Sequence, residues 1–317
     1  MKHPPRLWRA RETSSEPCGD GSSADCLGGR SRLGYRACWR HPIDAEMGCE
    51  MSADEVQPLA EPLLELSRVS KAFGGVKAVN DVSFTVVGGE IHGLIGPNGS
   101  GKTTLLNLIS GALKATAGRL TLAGADITRD PANRRARRGI ARTFQLPTNF
   151  PEMTALHNVM IGLYAFHMSR PFGEFIGLPR ERAVVRNLQE KAELVLDMMD
   201  MTSVQNELAG GLPLGYQRWL GMSIAIGTDP VLLLLDEPLG GMNQGERRAT
   251  MEKVRSLRDS GITVLLVEHD VKAVLSTCDV VTAINAGQKI AEGTGGVIRS
   301  DPAVIEAYLG REDAEDA

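Results

Sequence analysis

The sequence predicts an α/β fold carrying a mostly helical insertion, and three observations predict it. Apolar runs recur at 91–95 (IHGLI), a short strand, and unbroken at 231–235 (VLLLL), 262–267 (ITVLLV) and 280–284 (VVTAI), the pattern of strands in a sheet covered on both faces. The first run passes into a glycine-rich loop and then a helix rich in Leu105, Leu106, Leu108 and Ile109. Between about 150 and 228 the apolar spacing changes to three and four residues, most clearly at Val184, Leu188, Ala192, Val195, Leu196 and Met199, which marks one face of a helix.

In chain order, the first 58 residues stand apart. They contain Cys18, Cys26, Cys38 and Cys49, together with Trp8 and Trp39, among Gly, Ser, Pro and Arg of no period, so they offer no face to bury. The cysteine intervals of eight, twelve and eleven residues do not match the paired spacing of a zinc site, and a secretory apolar core is lacking. The expectation is a disordered tail or an over-extended reading frame with the physiological start at Met47 or Met51. From Leu63 the texture changes. Val82, Phe84 and Val86 alternate with Ser83 and Thr85, a half-buried strand. The domain is expected over 59–311, with a helical subdomain at about 150–228 and an acidic tail at 312–317.

Whole-chain properties exclude several functions. With 35 Lys and Arg against 39 Asp and Glu, the net charge of the 317 residues is -4, giving no general basic excess for nucleic acid. The apolar runs are far shorter than the roughly 18–20 residues of a membrane span. Only Cys278 lies beyond residue 50, so the body has no disulfide framework and suits a reducing compartment. The run RRARRGIAR at 134–142 has no interleaved aromatic platform for bases and reads as a solvated or domain-contacting face. Met198, Met199 and Met201 read as packing rather than metal ligation.

Residues 96–104 are GPNGSGKTT. Gly96, Gly101, Lys102 and Thr103 hold the fixed positions of a phosphate-binding loop, with Asn98, Gly99, Ser100 and Thr104 completing the cradle. Backbone N–H groups surround phosphate oxygens, Lys102 neutralises the β- and γ-phosphates, and the Thr103 hydroxyl suits magnesium. Such a loop needs a carboxylate at the end of a buried strand to share the metal. Asp236 directly follows the 231–235 run, and Glu237 is placed to orient or deprotonate a water. ATP with Mg²⁺ is therefore the expected ligand pair, and hydrolysis the expected reaction.

The string VLLLLDEP, with GPNGSGKTT before it, RTFQ at 142–145 and VEHD at 267–270, resembles the ATP-binding subunits of ABC transporters over about residues 63–310. The resemblance implies a mixed sheet with a RecA-like core, and two such domains sandwiching each ATP. It implies adenine stacking by Phe73, a core phenylalanine being the other reading, magnesium and water contacts by Gln145, and γ-phosphate contact by the switch histidine His269. The family's L-S-G-G-Q signature falls on Leu212, Pro213, Leu214, Gly215 and Tyr216, so the serine is missing. The helix from Gln217 can still aim its dipole at a phosphate, with Tyr216 or Gln217 as donors. Asn243 replaces the usual D-loop aspartate. The trans half-site is accordingly expected to be weakened but active.

Finer features resemble the ATPases of branched-chain amino acid type importers: GIARTFQ, EMTALHNVMIGL, VEHDVKAV and the ending DPAVIEAYLG. The resemblance implies dimerisation with a paralogous ATPase or with itself, two permease subunits, a periplasmic substrate-binding protein acting indirectly, and a peripheral position on the cytoplasmic face of the inner membrane. Phe150 is the candidate permease contact. The competing readings are a lipopolysaccharide-export ATPase, which shares the RARRGI and YLG segments, and a soluble ABC protein acting on nucleic acid or ribosomes.

Overall fold

The computed structural model describes residues 62–143, 150–167 and 179–309. Two sheets organise them. Strands β1 (Pro62–Phe73), β2 (Val76–Val87), β4 (Ala117–Leu122) and β5 (Ala125–Asp126) form an antiparallel sheet of order β2-β1-β4-β5. Strands β3 (Ile91–Ile95), β6 (Ile140–Arg142), β7 (Leu232–Asp236), β8 (Thr263–Val267), β9 (Val280–Asn285) and β10 (Gln288–Gly293) form a mixed sheet of order β10-β9-β3-β8-β7-β6. In it β9, β3, β8, β7 and β6 pair parallel to their neighbours, and β10 returns antiparallel to β9.

The unbroken apolar runs have a direct cause. Leu232, Leu234, Leu265 and Val267 enter one core with the antiparallel sheet, while Leu233, Leu235, Val264 and Leu266 enter the other with the helices. Successive side chains of a strand point to opposite faces, so a strand between two cores is apolar on both faces apart from paired polar groups such as His92 and Thr282. Each such leucine removed from water contributes about 1.5–3 kcal/mol.

Helix α1 (Lys102–Ser110) follows the glycine-rich loop, and α2 (Ala132–Arg137) leads into β6. The helical block comprises α3 (Ala155–His167), α4 (Pro179–Met198) and α5 (Leu214–Ile226). Leu188, Ala192, Val195, Leu196 and Met199 are buried as their spacing predicts, and Met201 is buried too. Asn158 donates from Nδ2 to the carbonyls of Phe150, Met153 and Thr154, and its Oδ1 accepts from the Phe150 N–H, which fixes the chain entering α3. Helices α6 (Gln244–Asp259) and α7 (Val271–Thr277) return to β8 and β9, and α8 (Gly295–Ser300) and α9 (Pro302–Leu309) follow β10.

Strands β1, β4 and β5 carry little sequence signal, for a physical reason. The alternation of Leu64 and Leu66 breaks before Val69 because the β1–β2 register shifts there and Arg68 sits at φ 49°, and such a bulge puts a strand out of phase with itself. The arginine run also divides in a way its composition conceals. Arg135 is 1% exposed and donates to the carbonyls of Leu108 and Ile109, capping the end of α1. Arg134 and Arg138 pair with Asp130, and Arg142 turns toward the candidate site. The expectations for 1–58, Gln145 and 312–317 fall outside the described residues.

Candidate functional site

The site is built on adjacent strand ends. Gly96 follows β3, the Asp236–Glu237 pair lies at the end of β7, and Glu268–His269 follows β8, with β8 paired between β3 and β7. A parallel sheet brings these carboxyl ends to one edge whatever their separation in sequence.

The loop at 96–101 is held tightly enough to require its glycines. Gly101 has φ 106°, and a methyl group there would lie 2.5 Å from the Ala78 carbonyl oxygen, a conformation and a clearance that glycine alone accommodates. The same Gly101 opens α1, whose first backbone N–H groups lack a side-chain cap and so face the loop as anion donors. Lys102 is 6% exposed, and its Nζ donates to the Gly96 and Pro97 carbonyls at 2.6 and 2.9 Å. The ammonium is thereby folded across the loop where phosphate charge would be neutralised. Thr103 is exposed, as are Asn98 and Gly99, whereas Ser100 is buried and Thr104 half-buried. Gly287, in the β9–β10 turn, donates to Ser100 O and accepts from Asn80 N–H. It braces the loop from behind, and the Asn-Ala-Gly turn at 285–287 is its only mark in the sequence.

Asp236 is 3% exposed. Its Oδ2 accepts from Arg142 Nη2 at 2.8 Å, while its Oδ1 has no hydrogen-bond partner among the described residues. A buried carboxylate oxygen without a partner costs free energy unless a cation or donor meets it. Together with the open Thr103 hydroxyl, this donor set fits a magnesium ion, which prefers hard oxygen ligands. Arg142 also reaches Asn107 Oδ1 at 2.6 Å, tying β6 to α1. Its signal was already present in RTFQ, where it stands three residues before Gln145.

Glu237 is half-buried and sits at φ 48°, a left-handed conformation that costs a residue with a Cβ about 1–3 kcal/mol and gathers at functional sites. Its N–H donates to Val267 O at 2.9 Å and its carbonyl accepts from Gly240 N–H. His269 presents a side chain 55% exposed beside this turn. Between them lies Glu268, fully buried. Its Oε1 accepts from Leu239 N–H at 2.7 Å and its Oε2 from His269 N–H at 3.1 Å. Burial pushes its carboxyl above the usual range, an effect opposed by the N–H donors of Leu239, His269 and Asp270 and by the charge of His269. Glu268 was not singled out from the sequence, although it carries the same signal as Asp236: an acid closing a buried apolar strand.

Phe73 ends β1 and is 48% exposed, with Lys71 Nζ 5.0 Å from its ring centroid. It is therefore not the core phenylalanine of the alternative reading. It pairs with Val76 across the turn that leads to Ala78, the residue against Gly101.

The signature residues form a second group. Pro213 is the N-cap of α5 and supplies no side-chain hydrogen bond. Leu214 is exposed, Gly215 is buried against the start of α6, and Tyr216 sits edge-on to Trp219 with centroids 4.9 Å apart. Gln217 Nε2 donates back to Leu212 O at 2.8 Å. Gln217 and Arg218 also line a cavity of about 360 Å³ with Arg142 and Asp236. Asn243 caps α6 through a reciprocal box: its Oδ1 accepts from Glu246 N–H at 3.0 Å, and Glu246 Oε2 accepts from Asn243 N–H at 2.9 Å. A further cavity of about 600 Å³ lies beside Asn98 and Gly99, lined by Asn285 and, from α9, Ala303 and Glu306.

Against known proteins, residues 79–240 match the ABC transporter family model, and residues 288–314 match that of the branched-chain amino acid ATP-binding cassette transporter. The chain is 38% identical to the high-affinity branched-chain amino acid transport ATP-binding protein BraF of Pseudomonas aeruginosa, over 80% of this chain and 99% of that protein. It is 37% identical to the corresponding protein LivG of Escherichia coli K12, with the same coverage of both chains. Among solved structures it is similar to a nucleotide-free ATP-binding cassette from an ABC transporter, with TM-score 0.68 and 33% identity over 78% of this chain and 99% of that one. It is also similar to the ADP conformation of such a cassette, with TM-score 0.69 and 32% identity over 79% and 99%.

Proposed function

Because the chain belongs to the ABC transporter ATP-binding family, whose members hydrolyse ATP to drive transport, we propose that it energises an importer of branched-chain amino acids or related small polar solutes. The observation that carries the hydrolytic part is the strand-end constellation of Asp236, Glu237 and His269 beside the glycine loop. The transport part is supported by the match at 288–314, which spans β10 and the C-terminal helices.

In this reading Lys102 and the α1 N–H groups bind the β- and γ-phosphates, and Phe73 stacks on the base. Asp236 and Thr103, with Gln145, hold magnesium, which when bound neutralises phosphate charge. Glu237 orients the water and accepts its proton, the step by which a positioned carboxylate contributes. His269 donates to the γ-phosphate. The trans half-site comes from a second copy or a paralogous ATPase, through Leu214, Gly215, Tyr216, Gln217 and Asn243. Two permeases receive the movement, a periplasmic binding protein delivers solute, and the ATPase lies peripherally on the cytoplasmic face of the inner membrane. Among the described residues no helix is long and apolar enough to cross a membrane, which suits a subunit that reaches the bilayer through partners.

The test is purification of the tagged chain from its own membranes in mild detergent, with identification of bound subunits. Two multi-span permeases and a second ATPase are expected. Recovery with ribosomes or DNA and no membrane subunit overturns the reading.

A further inference from the structure

Glu268 is a fully buried carboxylate to which the mechanism above gives no task. Its two oxygens divide between two loops, Oε1 to Leu239 N–H and Oε2 to His269 N–H. Leu239 lies two residues beyond Glu237, inside the turn whose Gly240 N–H bonds back to Glu237 O. We propose that Glu268 is a positioning residue for hydrolysis, a carboxylate clamp that fixes the main chain of Glu237 and the backbone of His269 relative to each other. The inference rests on the reading of Glu237 and His269 as the hydrolytic pair.

Three features support it. Glu237 is held at φ 48°, a conformation that persists only where surrounding bonds over-determine it; the Leu239 bond supplies one such constraint, and the Glu237 N–H to Val267 O bond another. A carboxylate is also the side chain suited to the task, because both facing groups are donors and an ionised carboxyl accepts on both oxygens. Bonds to an ionised acceptor are the stronger kind. Finally, Glu268 touches the turn after β7 and the start of the loop after β8 rather than the phosphate loop, so it bears on the water-activating groups and leaves the ATP-binding cradle to Lys102 and α1.

Glu268→Gln is the informative variant. The amide keeps the shape, but whichever way it is turned its NH₂ faces a backbone N–H, so one loop loses its acceptor. In the full chain purified with its co-purifying subunits, kcat for ATP is expected to fall about tenfold while KM and ATP retention stay within about twofold. Added to Glu237→Gln it is expected to lower the residual rate no further, because the two act as one unit. Glu268→Asp keeps the charge on a shorter arm that spans one loop, and is expected to fall between Gln and wild type; if Glu268→Gln does not fold, Glu268→Asp decides between the clamp and a side chain without influence on kcat. Wild-type kcat in a folded variant overturns the clamp, as does a loss of ATP binding in proportion to kcat. Normal turnover by Glu237→Gln instead removes the hydrolytic pair itself, so the two failures are distinguishable.

Discussion

The edge at the ends of β3, β7 and β8 and the edge at the starts of α5 and α6, the two parts proposed to face phosphate, are built differently. At the first, polar groups are buried and turned toward one another across strands: Asp236 meets Arg142, Glu268 gathers two loops, and Lys102 folds over the loop carbonyls. At the second, Gln217 and Asn243 bond within their own segments, and Arg247 pairs with Asp270 at the start of α7. Gln217 bonds Leu212 O and Asn243 closes its own helix, leaving Leu214 and the uncapped N–H groups of α5 to face outward. The first edge is organised by the single chain. The second offers a helix end and a shape, and in the proposed dimer the remainder comes with a partner's nucleotide.

The contrast can be broken most directly at Glu237. Glu237→Gln keeps the turn and removes the proposed base, so turnover is expected to fall by roughly 10²–10³-fold with ATP binding intact; steady-state hydrolysis and nucleotide retention measure both, and near-normal turnover would remove the first edge from the chemistry. A smaller effect is expected at the aromatic flank. Phe73→Ala should raise KM for ATP about two- to tenfold with kcat little changed, since a stacked aromatic contributes about 0.5–1.5 kcal/mol; an unchanged KM would make the exposed ring a contact for something other than adenine.

The second edge is sharpened by Pro213→Ser, which returns a hydroxyl to the α5 N-cap, where such a side chain is worth about 1 kcal/mol. ATPase activity of the assembled complex is expected to rise by about two- to threefold, and no change would mean that the helix N–H groups already suffice.

The smallest effect is expected behind the first edge. Burial pushes the Cys278 thiol up to about 12, so at pH 8 its thiolate fraction is about 10⁻⁴. Because burial disfavours the charged form, labelling should rise about tenfold per pH unit toward that value. Peptide mapping after maleimide treatment at pH 8 should find Cys278 unmodified in the native protein, whereas rapid labelling would mean that the core beneath β3 opens.

Much of the first edge was legible because its chemistry is local. The spacing of GPNGSGKTT places successive backbone groups around one anion, and an acid directly after a buried apolar run has to lie at a strand end. The reading of Phe73 was legible as a position but not as an exposure, since one aromatic after a strand serves a core equally well. Glu268 went unread beside His269, because the motif directs attention to the side chain that faces outward and not to the one that turns in.

The sequence by itself determined the glycine loop, the strands β3, β7, β8 and β9, the helical block and the acid at the end of β7, all of which follow from period and from neighbours a few residues apart. Tertiary structure alone decided that Arg142 faces Asp236 across 94 residues, that Arg135 caps α1 from 27 residues away, and that Glu268 reaches Leu239 across 29. Those pairings depend on sheet order and helix docking, which set two segments side by side only after loops are closed and two cores are filled. The residues that share a strand end are therefore fixed by packing, whereas the residues that make a strand are fixed by the chain.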